Sequence, residues 1–389
     1  MTARTILTNM IYFDNNATTA VAPQVFDAMQ PFLTASFGNP SAAYALGQET
    51  RKAIEMARDS VAVLLGAASA HEIAFTSCGT ESDNWAILGA LEETGKNHII
   101  TTKVEHDAIR KVCERQEKLG YRVTWLDVDE YGALDKETLM ATLGPETAVV
   151  SVMLANNETG ILFPIEEIGQ IVKERSDALF HVDGVNAVGK VPLDLKETEI
   201  DLFSVSGHKF HGPKGVGALY IRDGVKLRSF FTGGGQEGGK RAGTEAVHQI
   251  VGIGAAAQLA NDLSPMTKIQ AMRDRMEEEI LRTIPNSRLN GTADTAKRLP
   301  NTSSISFEDT NGEMILARLD ELGICVSTGS ACNALDHTAS AVLQAMNVPY
   351  SRAMGAIRFS LGRFNTEDEV DIVLAAVPRI ISELREIVG

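Results

Sequence analysis

The stretch AVVSVMLANNETGILFPIEEIGQIVKERSDALFHVD, at residues 148–183, decides the fold that we predict for this chain. An apolar run at residues 148–153 predicts a buried strand, helical spacing follows at residues 165–175, and a second strand follows at residues 179–183. Strand and helix alternate in the same way at short intervals over residues 70–185. This alternation is typical of an α/β protein with a mostly parallel, doubly wound sheet.

Polar residues follow five of the predicted strands. Ligands bind beyond the carboxyl ends of the strands in such sheets, so we expect these residues to meet in one crevice. They are found at residues 77–80, 105–106, 156–159, 183 and 206–209.

Length and composition predict two domains. The chain has 389 residues, which is more than one hydrophobic core usually serves. Its 44% hydrophobic and 22% charged residues are ordinary for a globular protein. We predict a large domain over residues 15–259 and a smaller α/β domain formed by residues 1–14 together with residues 260–389.

Charge and cysteine content narrow the expected partners and compartment. With 36 basic and 51 acidic residues the net charge is −15, which argues against nucleic acid and anionic membrane as main partners. No apolar run approaches the ~18 residues that a membrane span needs, and residues 1–16 lack a signal-peptide core. The four cysteines show no Cys-x-x-Cys spacing. We therefore expect a cytoplasmic protein with no metal site.

A second stretch, VSGHKFHGPKGVG at residues 205–217, predicts the chemistry. Apolar runs precede and follow it, so the pattern indicates a strand, a polar turn and a strand. Lys209 then lies at the end of a buried strand, where desolvation lowers the pKa of a lysine and its neutral amine can attack an aldehyde. The alternative is a glycine-rich hairpin with solvated lysines.

Three strand ends carry residues suited to a flat, phosphorylated ligand. Residues 78–80 precede a helix whose N-terminus suits a phosphate, the alternative being an ordinary N-cap by Ser77 or Thr80. Asp183 needs a cationic partner such as a protonated pyridine nitrogen, unless it is an N-cap or forms a salt bridge. His106 can stack on a ring and move protons, unless it only caps a helix.

The segment GGQEGGKR at residues 234–241 nearly matches a phosphate-binding P-loop. It lacks the final Ser or Thr, has Glu237 where phosphates would lie, and shows no strand-to-helix frame. Nucleotide hydrolysis is therefore not favoured. A flexible loop over a neighbouring site is the better interpretation, with residues 241–244 adding phosphate contacts.

Two further residues are candidates in the C-terminal part of the chain. Cys332 lies among small residues in STGSACNA, which predicts an exposed and mobile thiol, the alternative being a surface cysteine with no role. Arg358 interrupts an apolar strand at residues 357–361. It can bind a carboxylate through two hydrogen bonds, or form a salt bridge within the protein.

Together these motifs resemble the NifS/IscS-type cysteine desulfurases, which belong to the class V aminotransferase branch of the fold-type-I pyridoxal-phosphate (PLP) enzymes. The cysteine loop is short, which resembles the NifS-type group more than the SufS-like one. The motifs run nearly from end to end: DNNATT at 14–19, FGNPS at 37–41, TES at 80–82, EH at 105–106, ANNETG at 155–160, SGHK at 206–209 and GSAC at 329–332.

The resemblance implies a large PLP-binding domain with a mostly parallel seven-stranded sheet, and a smaller C-terminal domain with a catalytic cysteine loop at about residues 325–342. It also implies a role for each of twelve residues: Lys209 as the Schiff-base lysine; Gly79, Thr80, Ser206 and His208 at the phosphate, with Thr244 from a second subunit; His106 on the ring; Asp183 at the pyridinium nitrogen; Asn186 at the ring hydroxyl; Asn157 at the cofactor and, with Arg358, at the substrate carboxylate; and Cys332 as the sulfur-accepting thiol.

The sequence departs from the family pattern at two places. Where the family usually has Asp-Ala-x-Gln, this chain has Asp183, Gly184, Val185 and Asn186, and Asn186 is one methylene shorter than glutamine. The usual Leu-Glu-Pro-Ser-His-Val after the nucleophile is replaced by DHTASAV at residues 336–342.

The implied activity is PLP-dependent conversion of L-cysteine to L-alanine in a homodimer, with sulfur passing to Cys332 as a persulfide. An acceptor protein, for example an iron–sulfur scaffold, would then take the sulfur. The alternatives are a selenocysteine lyase, a class V aminotransferase, or a non-catalytic sulfur-relay scaffold. Iron–sulfur assembly, tRNA thiolation, DNA phosphorothioation and selenium supply all remain open as destinations.

Overall fold

The computed structural model of the protein describes residues 10–328 and 339–388. These residues form twelve strands: β1 (Ile11–Tyr12), β2 (Ile73–Thr76), β3 (His98–Thr102), β4 (Arg122–Leu126), β5 (Thr147–Met153), β6 (Leu179–Asp183), β7 (Leu202–Ser206), β8 (Gly217–Ile221), β9 (Ser287–Leu289), β10 (Thr302–Phe307), β11 (Ile324–Cys325) and β12 (Ala356–Ser360).

The same described residues form thirteen α-helices: α1 (Pro23–Met29), α2 (Pro31–Thr34), α3 (Ala45–Leu65), α4 (Gly79–Thr94), α5 (Asp107–Lys118), α6 (Lys136–Thr142), α7 (Ile165–Arg175), α8 (Val247–Ala260), α9 (Ser264–Thr283), α10 (Gly312–Asp320), α11 (Ala341–Ala345), α12 (Tyr350–Ala353) and α13 (Glu367–Val388).

A central sheet takes seven of these strands, in the order β2-β8-β7-β6-β5-β3-β4. Strand β8 runs antiparallel to its neighbours β2 and β7, and the other four neighbouring pairs are parallel. The predicted α/β fold with a mostly parallel seven-stranded sheet is therefore confirmed.

The interior strands of this sheet are buried on both faces. Every residue of β5 and β7 is buried, whereas the edge strand β4 is partly exposed. Helix α4 packs against β5 to β8, while α3 and α8 pack together in the core that also contains Val182 and Val205. Covered strands need apolar residues on both faces, which explains their continuous apolar runs.

A separate hydrophobic core lies outside the central sheet. It joins Ile11 and Phe13 with Met276 of α9, Ile305 of β10 and Phe359 of β12. Strand β10 pairs antiparallel with β9 and β12, and β1 pairs parallel with β11. The first described residues thus pack with the C-terminal part of the chain.

Residues 21–33 have the spacing of apolar residues that predicts one helix, and this prediction is wrong in one respect. The structure divides it into α1 and α2, and Pro31 is the first residue of α2. Proline has no backbone N–H to continue a preceding helix but suits the first position of a new one.

No helix in residues 10–328 and 339–388 has an apolar stretch that would reach across a bilayer.

Candidate active site

A cavity of about 250 Å³ lies where strands β2, β3, β5, β6 and β7 end. The five polar segments predicted to meet in one crevice therefore do so. Of the described part of the chain, Thr244 and Arg358 are not in its lining, and Cys332 lies outside the described residues. Nine of the twelve predicted site residues line the cavity: Gly79, Thr80, His106, Asn157, Asp183, Asn186, Ser206, His208 and Lys209.

Lys209 ends a short 3-10 turn, Gly207–Lys209, that directly follows β7. Its Nζ donates hydrogen bonds to the backbone oxygen of Asn16 at 2.5 Å and to that of Ala17 at 3.1 Å. Ala17 also lines the cavity. Lys209 therefore lies at the cavity wall and not on the outer surface of a hairpin.

Two buried carboxyl groups line the cavity close to each other. Asp183 ends β6 and is 5% exposed, and its Oδ1 accepts a hydrogen bond from the backbone N–H of Val185 at 2.9 Å. Asp83 of α4 is 1% exposed, and its Oδ1 has no hydrogen-bond donor in the described structure. Burial raises the pKa of Asp183, and burial and then the charge of Asp183 raise the pKa of Asp83 well above its usual value. A cation beside Asp183 would offset this cost.

His181, in the middle of β6, lies beside Asp83. Its Nε2 is 3.6 Å from Asp83 Oδ1 and 2.9 Å from Ser204 Oγ, and its Nδ1 is 2.9 Å from Ser151 Oγ. Burial lowers the pKa of His181 to about 3, so the imidazole is neutral near neutral pH. Neither Asp83 nor His181 was predicted. His181 interrupts the apolar run of β6, which is a signal in the sequence, whereas Asp83 lies among the polar residues 80–84.

His106 is both a helix cap and a cavity residue. It occupies the N-cap of α5, where its Nδ1 accepts a hydrogen bond from the backbone N–H of Ala108 at 3.1 Å. It also lines the cavity. Because Nδ1 acts as an acceptor, a neutral His106 carries its proton on Nε2.

Helix α4 begins at the cavity with Cys78 in the N-cap position, and no side-chain hydrogen bond caps it in the described structure. The alternative of a cap by Ser77 or Thr80 is therefore wrong, since Ser77 Oγ donates to Glu81 Oε2 at 2.5 Å instead. The positive end of this sixteen-residue helix thus lies at the cavity beside Thr80, which suits an anion.

Glu81 links this turn to the glycine-rich loop. Its carboxylate accepts hydrogen bonds from the Ser77 backbone N–H at 2.8 Å and from Arg241 Nε and Nη2 at 2.8 and 3.2 Å. Burial favours the protonated form, but the hydrogen bonds from Arg241 and Ser77 hold the pKa of Glu81 below its usual value. Arg241 is thus paired with Glu81, and Thr244 is exposed.

Glu237 explains why the P-loop-like segment is not a phosphate site. Its carboxylate accepts hydrogen bonds from Arg58 Nη1 and Nη2 at 2.6 and 3.0 Å and from the Phe75 backbone N–H at 2.8 Å. Its side chain is 4% exposed. Glu237 therefore anchors the loop to α3 and β2, and the segment forms a short 3-10 turn, Gln236–Gly239, without a strand-to-helix frame.

Ser206 and His208 line the cavity at the end of β7. His208 Nδ1 is 3.0 Å from Thr18 Oγ1. Burial, followed by the charges of Lys209 and Lys214, lowers the pKa of His208 to about 4. Near neutral pH His208 is therefore neutral and has a single ring N–H to donate.

The family departure at Gly184 has a structural cause. A Cβ at this position would lie 1.8 Å from Cζ of Phe203, which is fully buried in β7. The usual alanine therefore does not fit beside Phe203. Asn186, which stands where the family usually has glutamine, is 5% exposed, and in the described structure its Nδ2 is buried without a hydrogen-bond partner.

Arg358 does not line the cavity but is hydrogen-bonded to Asn157, which does. Its Nη1 donates to the backbone oxygen of Asn157 at 2.8 Å, and its Nη2 donates to Asp14 Oδ1 at 2.6 Å. Arg358 therefore forms a salt bridge within the protein, with Asp14, which was the alternative to binding a free carboxylate. Arg358 is 6% exposed, and its Nε has no partner in the described structure.

Comparison with known proteins gives consistent matches. The chain matches the family described as aminotransferase class-V over residues 11–373. It is 51% identical over 380 residues to a cysteine desulfurase of Trichormus azollae, with 97% of this chain and 94% of the relative covered. It is 47% identical over 380 residues to the cysteine desulfurase NifS of Azotobacter vinelandii, with the same coverage. A solved NifS-like protein matches with a TM-score of 0.90 and 39% identity, over 96% of this chain and 100% of the other.

The chain therefore belongs to the class V aminotransferase family, whose α/β fold it shares. Within that family it belongs to the NifS/IscS-type cysteine desulfurases, and the resemblance stated from the sequence motifs is confirmed over nearly the whole chain.

Proposed function

We propose that this protein is a PLP-dependent cysteine desulfurase. It converts L-cysteine to L-alanine and passes the sulfur to Cys332 as a persulfide and then to an acceptor protein. The observation that carries the proposal is the meeting of Lys209, His106 and the buried Asp183 in one cavity. Relatives named cysteine desulfurase over 97% of this chain add support.

The cavity fits pyridoxal 5′-phosphate at both ends. Asp183 would hold the ring nitrogen, since its buried carboxyl is favourable as an anion only beside a cation. Thr80, Ser206 and His208 lie around the N-terminus of α4, which suits the phosphate. The unpartnered Nδ2 of Asn186 suits the ring hydroxyl. When bound, the cofactor supplies an electron sink for the α-carbon of an amino acid.

Lys209 and His106 move the protons of the reaction. Lys209 would hold the cofactor covalently, and its Nζ is the group that would take the α-proton of the substrate. His106 Nε2 donates and accepts a proton beside the ring, because Nδ1 is engaged by the backbone N–H of Ala108.

Asn157 and Arg358 bind the substrate carboxylate. Arg358 is paired with Asp14 and with the backbone oxygen of Asn157. The incoming carboxylate therefore competes with Asp14 for the guanidinium, and a bidentate pair with Arg358 offsets the loss of that contact.

Cys332 receives the sulfur. Its thiolate attacks the substrate sulfur, a sulfur–sulfur bond forms and the carbon–sulfur bond breaks. The electron pair of the broken bond stays with the carbon fragment, which gains protons and leaves as alanine. The sulfur atom remains on Cys332 as a persulfide and passes from there to the acceptor, for which an iron–sulfur scaffold protein is one candidate.

A homodimer is part of the proposal. Thr244 is exposed and outside its own chain's cavity lining, which suits a contact with the phosphate in a second subunit. Large apolar side chains are exposed on the segment that contains α1, α2 and α3, and such a surface suits burial against a second copy. They are Phe26, Leu33, Phe37, Tyr44, Met56 and Val63.

We also propose the domain division at residues 15–259, with residues 1–14 and 260–389 as the smaller domain. The separate core that joins Ile11 and Phe13 with residues of α9 and α13 supports it. The proposed compartment is the cytoplasm, where the free thiols of Cys78, Cys113 and Cys325 would stay reduced.

The purified protein with added cofactor and L-cysteine tests this function. We expect a visible cofactor absorption band, and formation of alanine and protein-bound persulfide. Cys332→Ala should keep the band and abolish both products, whereas Lys209→Ala should lose the covalent cofactor and the turnover. No band would favour a non-catalytic scaffold. Activity that needs a keto acid and survives Cys332→Ala would indicate an aminotransferase.

A further inference from the structure

Lys190 is a buried lysine whose hydrogen bonds, within the described residues, all go to amide oxygens. It is 8% exposed, and its Nζ donates to Asn16 Oδ1 at 2.9 Å, to the Asn186 backbone oxygen at 2.9 Å and to Asn186 Oδ1 at 3.1 Å. Burial, and then the charges of Lys209 and Arg358, lower the pKa of Lys190 well below its usual value. Burial of a lysine ammonium costs free energy, so we ask what the hydrogen bonds of Lys190 do for the site.

These contacts fix the orientation of the Asn186 amide. A lysine ammonium has three donors and no acceptor, so the atom that Asn186 turns towards Lys190 must be its oxygen. The amide nitrogen is then left on the other side. Asn186 lines the cavity, and Nδ2 is buried with no hydrogen-bond partner in the part of the chain that the structure describes.

The same ammonium also orients Asn16. With its Oδ1 held by Lys190 and by Asn301 Nδ2 at 3.1 Å, Asn16 turns its own Nδ2 to the backbone oxygen of Asn157 at 3.2 Å. The backbone oxygen of Asn16 accepts the hydrogen bond from Lys209. Through Asn186 and Asn16, Lys190 is thus linked by hydrogen bonds to the cavity lining, including Asn157 and Lys209.

We propose that Lys190 is a positioning residue that holds the Asn186 amide with Nδ2 as the donor to the ring oxygen of the bound cofactor. The shorter Asn186 side chain then keeps the donor function that the resemblance assigns to glutamine. This inference rests on the proposed function, because it presumes that the cavity holds pyridoxal 5′-phosphate.

A double-mutant cycle on the holoprotein tests it. Lys190→Met should speed the loss of cofactor roughly tenfold, as expected for one hydrogen bond in a charged network. It should also raise the pH midpoint of the visible cofactor band, because the anionic ring oxygen loses a donor. Asn186→Leu should have similar effects. The double variant should be little worse than either single one, since both remove the same contact.

The matched control is Lys173→Met, which removes a lysine of α7 that forms an ion pair with Asp201. It should leave both cofactor readouts unchanged. Fully additive effects of Lys190→Met and Asn186→Leu would overturn the proposal, since Lys190 would then act by charge or packing and not through Asn186.

Asn186→Asp carries the test even if Lys190→Met does not fold. One carboxylate oxygen should pair with Lys190 and stabilise the apoprotein against heat, while the other presents an acceptor where a donor is needed. We expect a higher melting temperature of the apoprotein together with faster cofactor loss than in Asn186→Leu. Cofactor retention equal to that of the unchanged protein would overturn the inference. No cofactor band in the unchanged protein would instead overturn the proposed function.

Discussion

The end of the cavity that we propose for the cofactor ring and the end that we propose for its phosphate are built in different ways. At the ring end, Asp183, Asp83 and His181 are all at most 5% exposed and lie on neighbouring elements of one chain. At the phosphate end, Glu81 pairs with Arg241 of the glycine-rich loop, and Thr244 is exposed.

Under the proposed function, one chain completes the ring end by itself, whereas the phosphate end also takes Thr244 from a second subunit. The ring end is held by burial, so small changes there should have large effects. The phosphate end is held by the ion pair of Glu81 and Arg241, whose side chains are 6% and 20% exposed. Glu81 acts on this end through the turn at Ser77 and does not itself line the cavity, so changes there should have smaller effects.

Asp183→Asn should give the largest effect and tests the ring end directly. Loss of one member of a buried charge pair costs about 3 kcal/mol, so we expect alanine formation to fall at least about a hundredfold. The rate of alanine formation with saturating cofactor measures it. Asp368→Asn, at the exposed start of α13, is the matched control. Near-normal turnover in Asp183→Asn would show that the ring end does not depend on this carboxylate.

Gly184→Ala should destabilise the apoprotein by about 2 kcal/mol, because the new Cβ would overlap the buried ring of Phe203. Urea unfolding measures the loss, and Phe203→Leu in the same chain should recover part of it. Gly144→Ala is the control, since a Cβ there meets no atom within 4 Å. An equal loss in both glycine variants would indicate a backbone effect and not this contact.

Glu81→Gln should weaken cofactor binding about tenfold, the loss expected when one buried charge-assisted contact is removed. Arg241 would lose its carboxylate, and the turn at Ser77 would lose its partner. Titration of the apoprotein with cofactor measures this, with Glu93→Gln on the exposed face of α4 as control. Unchanged affinity would show that the loop and the turn are not coupled.

Glu105→Gln should have the smallest effect, a change in the pH dependence of stability. Burial raises the pKa of Glu105 to about 8, above the ~4.3 of an unfolded chain. The folded protein therefore binds this proton more tightly, and stability falls as pH rises between these values.

The glutamine stays neutral, so the apoprotein variant should lose less stability from pH 6 to pH 7, by about 1.4 kcal/mol for this single pH unit. Urea unfolding at both pH values measures the difference. Parallel curves for the two proteins would mean that Glu105 is ionised throughout this range.

The sheet and eight of the nine lining residues were predictable because they depend on local patterns, whereas Asn186 was assigned only through the family resemblance. Apolar runs mark buried strands, and polar residues after parallel strands meet at one edge. Lys190, Asp83 and His181 were not predicted, because their roles depend on partners that the fold brings together. The pair of Glu81 and Arg241, 160 residues apart, shows the same limit.

The most direct test of this account is mass spectrometry of the holoprotein after chemical reduction and proteolysis, with and without L-cysteine. The account predicts cofactor bound covalently to Lys209 alone, and one extra sulfur atom on Cys332 only after L-cysteine is added. Cofactor on Lys190 or Lys214, or extra sulfur on Cys78 with none on Cys332, would contradict it.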